Sequence, residues 1–277
     1  MTIIDSHVHF WNYDPIRDAW ITEKMAVIKK NFTPEHLQKE FEINQVEGCV
    51  AVQADETNYE TNFLLSHAKK NPFVKGVVGW IDLTDKSVAD LLYDYSKEPL
   101  IKGFRNVIQG EPDEKYFQNK EFRVGMKRLQ RYGFTYDLLI YHNQLPSAIA
   151  FTEKYPDQHF MLDHIAKPDI RNKQWKVWKD DIRELAKNPN IYCKVSGMIT
   201  EADWKNWKYE DLLPYLEIVA EYFGTDRLCF GSDWPVALVA GKYSEVIQVV
   251  RSFLLQVSET EREKVLSVNT KRFYKLN

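Results

Sequence analysis

One pattern constrains this chain more than any other: a short β-rich run followed by a segment of helical periodicity, repeated eight times. The runs are TIIDSHVHF from Thr2, GCVAVQA from Gly48, GVVGWIDL from Gly76, IKGFRNVI from Ile101, TYDLLIY from Thr135, HFMLDHI from His159, IYCKVSGM from Ile191 and LCFGSDWP from Leu228. Successive starts lie 46, 28, 25, 34, 24, 32 and 37 residues apart, each enough for one crossover helix and its loops and too little for an inserted domain. Between them, Thr33 and Pro34 read as an N-cap with proline at the first helical position, ahead of an apolar stripe of Leu37, Phe41 and Ile43. Val88, Leu91, Leu92 and Tyr95 repeat at helical spacing, as do Val246, Val249, Val250, Phe253 and Leu254. Eight such units in 277 residues predict an α/β protein, a (β/α)8 barrel forming one domain over residues 1–277. An open doubly wound sheet is the competing architecture, but no GxGxxG turn and no GxxxxGK[ST] loop supports a nucleotide-binding sheet.

Composition narrows the partners. Net charge is −3, so no basic surplus points to nucleic acid or an anionic membrane, and a small molecule is the expected partner. No secretory leader and no apolar run near the length of a membrane span is present, so a cytoplasmic location is expected. Cys49, Cys193 and Cys229 each sit in an apolar strand-like run and are expected to be buried thiols.

A barrel of this kind places its active site at the C-terminal ends of its strands. There the sequence sets His7 and His9, then Gln53, Asp82, Arg105, Tyr141 with His142, His164, Lys194 and Asp233, strand by strand. His7 and His9, two apart, leave the same strand face roughly 6.6 Å from each other. Alone the HxH is weak, but His164 and Asp233 supply a third imidazole and the carboxylate that a divalent site needs. Asp5 falls on the face of His7 and His9, deeper in the barrel, where a structural hydrogen bond is expected. Lys194, between apolar neighbours, points inward and needs a charge partner, with Asp233 as the expected one. Trp11, Trp80 and Trp234 stand near strand ends, where stacking on a ligand ring and ordinary core packing are both open to them. Ser196 and Ser232 lack both a GxSxG elbow and an evident base, so serine-nucleophile chemistry is not expected.

In order, IIDSHVHFW, VQA, NYETNFLL, GVVGWIDL, GFR, YDLL, LDHIAKP, KVSGMITEADW and FGSDWPV resemble the sugar-acid lactonase branch of the amidohydrolase superfamily, which includes L-fuconolactonase and L-rhamnonolactonase. The resemblance runs from Ile3 to about Pro235. It implies a hydrolase that opens an aldonolactone ring, with His7, His9, His164 and Asp233 as the active centre and Arg105 holding or polarising the substrate. Attack of water needs a base, for which Asp233 is the candidate, with His164 and Arg105 as further catalytic groups. Position at or beside strand ends puts Gln53, Asp82, His142, Lys194 and Trp234 as candidate contacts around the substrate. It also implies at most one divalent ion, zinc first among the choices, on His7, His9, His164 and Asp233; a metal-free centre is the other option within the family. Lys102 stands at the start of the fourth strand, so a two-metal centre bridged by a carboxylated lysine is not expected. The family often has histidine after the arginine of GFR, where this chain has Asn106. Nonoxidative decarboxylation on the same barrel and a non-catalytic sugar-acid-binding barrel are the alternative functions. The specific sugar and the oligomeric state stay open.

Overall fold

The computed structural model describes residues 2–277. All eight expected strands form: β1 (Ile4–Val8), β2 (Gly48–Val52), β3 (Val74–Gly79), β4 (Ile101–Val107), β5 (Thr135–Leu139), β6 (Phe160–Leu162), β7 (Ile191–Val195) and β8 (Leu228–Phe230). They pair in parallel in sequence order. The first and last meet through His9 N donating to Trp234 O at 2.7 Å and Asp233 N donating to His7 O at 2.9 Å, so the seam of the barrel is closed by residues of the site itself.

Helices cover the outside. The first, α1 (Pro34–Asn44), begins after an extended Thr33 and buries Leu37 and Phe41. Ile43 departs from the expected stripe and is 73% exposed, because it lies two residues beyond Phe41 and therefore on another face, while Asn44 turns inward instead. The second, α2 (Asn58–Lys70), is capped by the Thr57 hydroxyl accepting from Glu60 N. In α3 (Tyr243–Phe253), much further along the chain, Val246, Val249, Val250 and Phe253 are buried as the spacing predicts. The three cysteines are free and buried. No helix among the described residues is long and apolar enough to cross a membrane.

The side chains sort into two apolar sets. A large one lies between strands and helices; a smaller one inside the barrel contains Val50, Val52, Val78, Met161 and Cys229, closed from below by Phe273 and Tyr274 near the C-terminus. Adjacent residues of β2 fall in different sets, Cys49 and Ala51 outside and Val50 and Val52 inside, as the pleat requires.

That frame corrects the placement of Asp5. The β1–β2 register shifts between Asp5 and Val8, a bulge that inserts one residue and reverses the face of everything before it. Asp5 pairs with Cys49 on the outward side, and its carboxylate accepts from Tyr243 Oη of α3 at 2.9 Å, Ser232 N at 2.9 Å and His7 N at 3.0 Å. Asp5 is thus structural, as expected, but from behind the strand. It ties β1 to the β8 loop and to a helix, and burial pushes its carboxyl up to about 6.

Glu60, in the first turn of α2, is buried and holds the loop after β2 by accepting from Ala54 N at 2.8 Å. Burial raises its carboxyl from 4.5 to about 7. The folded state therefore favours the neutral acid, and stability present in full below 4.5 is lost as pH rises through about 7, by up to about 3 kcal/mol. Glu60→Gln keeps the acceptor and removes the charge. Thermal denaturation is expected to place Glu60→Gln several degrees above the parent at pH 8, with the gap closing near pH 4.5.

Candidate active site

At the C-terminal mouth, the strand-end residues enclose a cavity of about 330 Å3, within the range of small-molecule sites. His9, Gln53, Arg105, His164 and Asp233 line it. His7 lies one layer lower and is fully buried.

Two of these residues reach the cavity because their strands stop early. The sixth run was expected to extend through His164, but β6 ends at Leu162. His164, Ile165, Ala166 and Lys167 all then adopt left-handed backbone, with φ of 51°, 50°, 60° and 45°. Asp233, three residues past the end of β8, also has a left-handed φ of 58°. Each such non-glycine conformation costs on the order of 1–3 kcal/mol and persists only where surrounding contacts hold it, which is typical of functional sites. At Gly197, φ is 63° and an added Cβ would stand 2.7 Å from the His164 ring, so the chain passes there only as glycine.

The imidazoles converge. His9 Nδ1 donates to the Val52 carbonyl at 2.8 Å, leaving a lone pair on Nε2. That Nε2 stands 3.1 Å from His7 Nε2 and 3.4 Å from Asp233 Oδ1. His164 Nδ1 meets Ser196 Oγ at 2.8 Å, and its Nε2 is 3.8 Å from the same Asp233 oxygen. His7 Nε2 is also 3.8 Å from it. Ser196, which the sequence leaves without a base, thus has a histidine partner, but it is buried behind the ring and orients His164 instead of facing the cavity.

Burial pushes all three imidazoles down, His164 to about 4, so they are neutral at ordinary pH. Burial works against the Asp233 carboxylate too, but a proton shared between it and His164 or His9 sits on the imidazole, so the carboxyl lies below its usual range. A neutral imidazole trio around an ionised carboxylate suits a divalent ion. Donors about 2.1 Å from one tetrahedral zinc lie about 3.4 Å apart, close to the separations here. His7, His164 and Asp233 offer donor atoms within 4.8 Å of one another, with His9 Nε2 adjacent. Nitrogen donors with one carboxylate favour zinc over magnesium or calcium. The residues fit one ion. They do not fit a two-metal centre: Lys102 lies at the far end of β4 and its ammonium donates to Lys275 O at 3.1 Å.

Beneath His7 sits a buried ionic network. Lys194 Nζ lies 2.6 Å from Asp137 Oδ2, 2.9 Å from Asp163 Oδ1 and 3.0 Å from His7 Nδ1. Lys194 therefore does not pair with Asp233, and it does not line the cavity. Burial opposes its charge, but Asp137 and Asp163 keep the ammonium protonated. Asp163 also accepts from Arg105 Nη1 at 2.8 Å, and its two cations hold it well below the usual carboxylate range. Asp137, buried and beside the charged Asp163, is pushed up. Arg105 is gripped on its other edge by Gln53 Oε1, 2.8 Å from Nη2, so the Gln53 oxygen is occupied by the guanidinium it positions.

The other expected substrate contacts fall away from the cavity. Asp82 caps its own turn, accepting from Thr84 N at 2.8 Å. His142 Nδ1 bonds the Lys167 carbonyl at 3.0 Å. Trp234 is 3% exposed and packs edge-on to Phe10 and Phe32, so its chain neighbour Asp233 faces the cavity while the indole faces the core. Asn106 is likewise internal, accepting from Tyr136 Oη at 3.0 Å. Of the three tryptophans, Trp11 reaches the cavity wall, joined edge-to-face by Trp20.

Sequence reasoning overlooked Trp20, Arg17, Glu56, Gln109 and Lys167 on the walls, and Asp137 and Asp163 below. The last two carried a signal: a lysine inside a parallel barrel needs carboxylates, and Asp137 lies within β5 while Asp163 directly follows β6, the strand beside that of Lys194.

Fold and constellation define a class: a closed parallel barrel with one imidazole-carboxylate centre at its C-terminal mouth. Within that class the chain belongs to the Amidohydrolase family, which it matches over residues 4–276. It is 34% identical to an L-fucono-1,5-lactonase of Burkholderia multivorans, over 99% of this chain and 96% of that one. It is 32% identical to an L-fucono-1,5-lactonase of Burkholderia ambifaria, over 87% and 83%. Among solved structures, an amidohydrolase from Burkholderia multivorans with bound zinc superimposes with a TM-score of 0.96 at 33% identity, covering 100% of both chains.

Removing the lysine tests the network. Lys194→Met leaves Asp137 and Asp163 buried around an apolar chain and is expected to cost about 3–5 kcal/mol in urea unfolding. Adding Asp137→Asn is expected to recover part of that loss, the mark of direct coupling.

Proposed function

We propose that this protein hydrolyses the ring ester of a sugar-acid lactone, with Asp233 as general base. The observation that carries this is Asp233 itself: an ionised carboxylate at the floor of a ligand-sized cavity, ringed by neutral imidazoles and 3.4 Å from a lone-pair nitrogen of His9. The relatives named as L-fucono-1,5-lactonases support the substrate class.

Opening a lactone needs an activated water, stabilisation of the tetrahedral oxyanion, and a proton for the departing ring oxygen. Asp233 takes one proton from water and returns it to the ring oxygen, which becomes the new hydroxyl, while water's oxygen completes the carboxylic acid, whose remaining proton passes to solvent as the carboxylate forms. The imidazoles are neutral, so positive charge at the oxyanion comes from Arg105, whose guanidinium lines the cavity and is held by Gln53 and Asp163. His164, aimed by Ser196, directs Nε2 at the same reacting volume. A zinc ion, when held by His7, His9, His164 and Asp233, would supply Lewis-acid polarisation of the carbonyl.

A panel of five- and six-membered aldonolactones, beginning with L-fucono, L-rhamnono, L-galactono and D-arabinono forms, read by a pH indicator, tests the reading. Asp233→Asn is expected to keep its circular dichroism and lose turnover by at least about a thousandfold. Near-parental turnover removes Asp233 from the base role, and release of CO2 in place of a titratable acid favours decarboxylation.

The ion has its own test. Zinc titration of chelator-treated protein is expected to saturate at one equivalent, and His164→Ala to weaken binding by at least about a hundredfold. Undiminished hydrolysis by metal-free protein assigns oxyanion stabilisation to Arg105 alone.

A further inference from the structure

Of the permanent cations on the cavity wall, two are already engaged. Arg17 is held by Asp18, its Nε donating to Oδ1 and its Nη2 to Oδ2, both at 2.9 Å. Arg105 is gripped by Gln53 and Asp163. Lys167 is different. Its side chain is largely buried on the wall, yet among the described residues its ammonium has only an ion pair with Glu201 Oε1 at 3.9 Å, beyond hydrogen-bond distance. Glu201 does not line the cavity, so the ammonium is the member of the pair presented to a ligand. The backbone beneath it is fixed on both sides. Lys167 N donates to His164 O at 2.8 Å, its carbonyl accepts from His142 Nδ1 at 3.0 Å, and its φ of 45° ends the left-handed run that begins at His164. The Tyr141 ring, its centroid 5.8 Å from Nζ, adds a cation–π contact.

We infer that Lys167 forms an anion subsite that takes the carboxylate of the opened product, so that the protein is inhibited by its own aldonate. The inference rests on the lactonase reading for the identity of the anion. Hydrolysis converts a neutral ring into an anion, and the new charge appears beside the ionised Asp233. The two negative charges repel, and breaking the ring ester frees the carboxylate to turn about its bond to the carbon chain. Arg105 cannot follow it, being fixed by Gln53 and Asp163. Lys167, three residues beyond His164, has N–H donors to offer. A neutral lactone gains little from that ammonium, whereas its anion gains a charge-assisted hydrogen bond, so Lys167 distinguishes product from substrate.

The test compares KM for the aldonolactone turned over best with the inhibition constant of the aldonate it yields, in the parent, Lys167→Met, Lys167→Gln and Lys167→Arg, each checked for an unaltered melting profile. Loss of the ammonium in Lys167→Met or Lys167→Gln is expected to raise the inhibition constant about tenfold, the effect of one charge-assisted hydrogen bond, with KM changed less than about twofold. Lys167→Arg is expected to restore most of the inhibition. An unchanged inhibition constant in both neutral variants overturns the subsite and leaves the lactonase reading in place, as does an equal rise in KM, which marks a general loss of binding. If the parent turns over no lactone of the panel, the lactonase reading fails, and calorimetric titration with L-fuconate decides the subsite: binding weakened by Lys167→Met keeps it, and binding that is absent or unaltered overturns it.

Discussion

The site depends on one cation buried where no water can reach it. Lys194 extends into the barrel between β5, β6 and β7, and an ammonium there is tolerable only because Asp137 and Asp163 neutralise it. Its reach is wide. Asp163 hands the interaction on to Arg105, Arg105 to Gln53, and Lys194 itself contacts His7. Tyr274, three residues from the C-terminus, donates to Asp137 at 2.7 Å from the opposite end of the barrel. The helical tail therefore plugs the barrel and also completes the polar shell of the network beneath the imidazoles.

Above that network, precision comes from backbone that has left the strand. β6 and β8 are three residues each, and His164 and Asp233 are delivered by left-handed turns just past them. A strand residue is confined to inward or outward; a turn residue can be aimed between. The cost is met by ordinary contacts: Asp233 N donates to His7 O, Ser196 meets His164 Nδ1, and Gly197 leaves room for the ring. The seam between β8 and β1 thus does two tasks, closing the barrel and registering Asp233 against His7 and His9.

The eight strands and the constellation of His7, His9, Arg105, His164 and Asp233 were legible because both follow from period and from position at strand ends. Where pairing geometry decides, the sequence was silent. The bulge that turns Asp5 outward exists only in the β1–β2 register, so counting by twos put that residue on the wrong face. Lys194 was rightly placed inside, but its partners come from neighbouring strands 57 and 31 positions away in sequence, at Asp137 and Asp163, and strand adjacency had to be combined with pleat to find them. Trp234 illustrates a third limit: beside a left-handed Asp233, neighbours in sequence face different compartments. Wall residues such as Gln109 and Glu56 lie on loops, where no periodicity operates.

Asp163 and Asp233 stand on opposite sides of the same imidazoles, and both are ionised, yet only one is free to act. Asp163 is clamped by Lys194 and Arg105 and fully buried, so protonating it would strand two cations at once. Its negative charge is structural. Asp233 is ionised beside imidazoles that carry no fixed charge, and it borders the cavity. A proton arriving there leaves no buried cation without its counter-ion, so protonating Asp233 costs less than protonating Asp163. The division of labour follows from the partners each carboxylate has: Asp163 is committed to its two cations, and Asp233 borders the cavity with no cation of its own to hold, which is the physical basis for proposing it as the base.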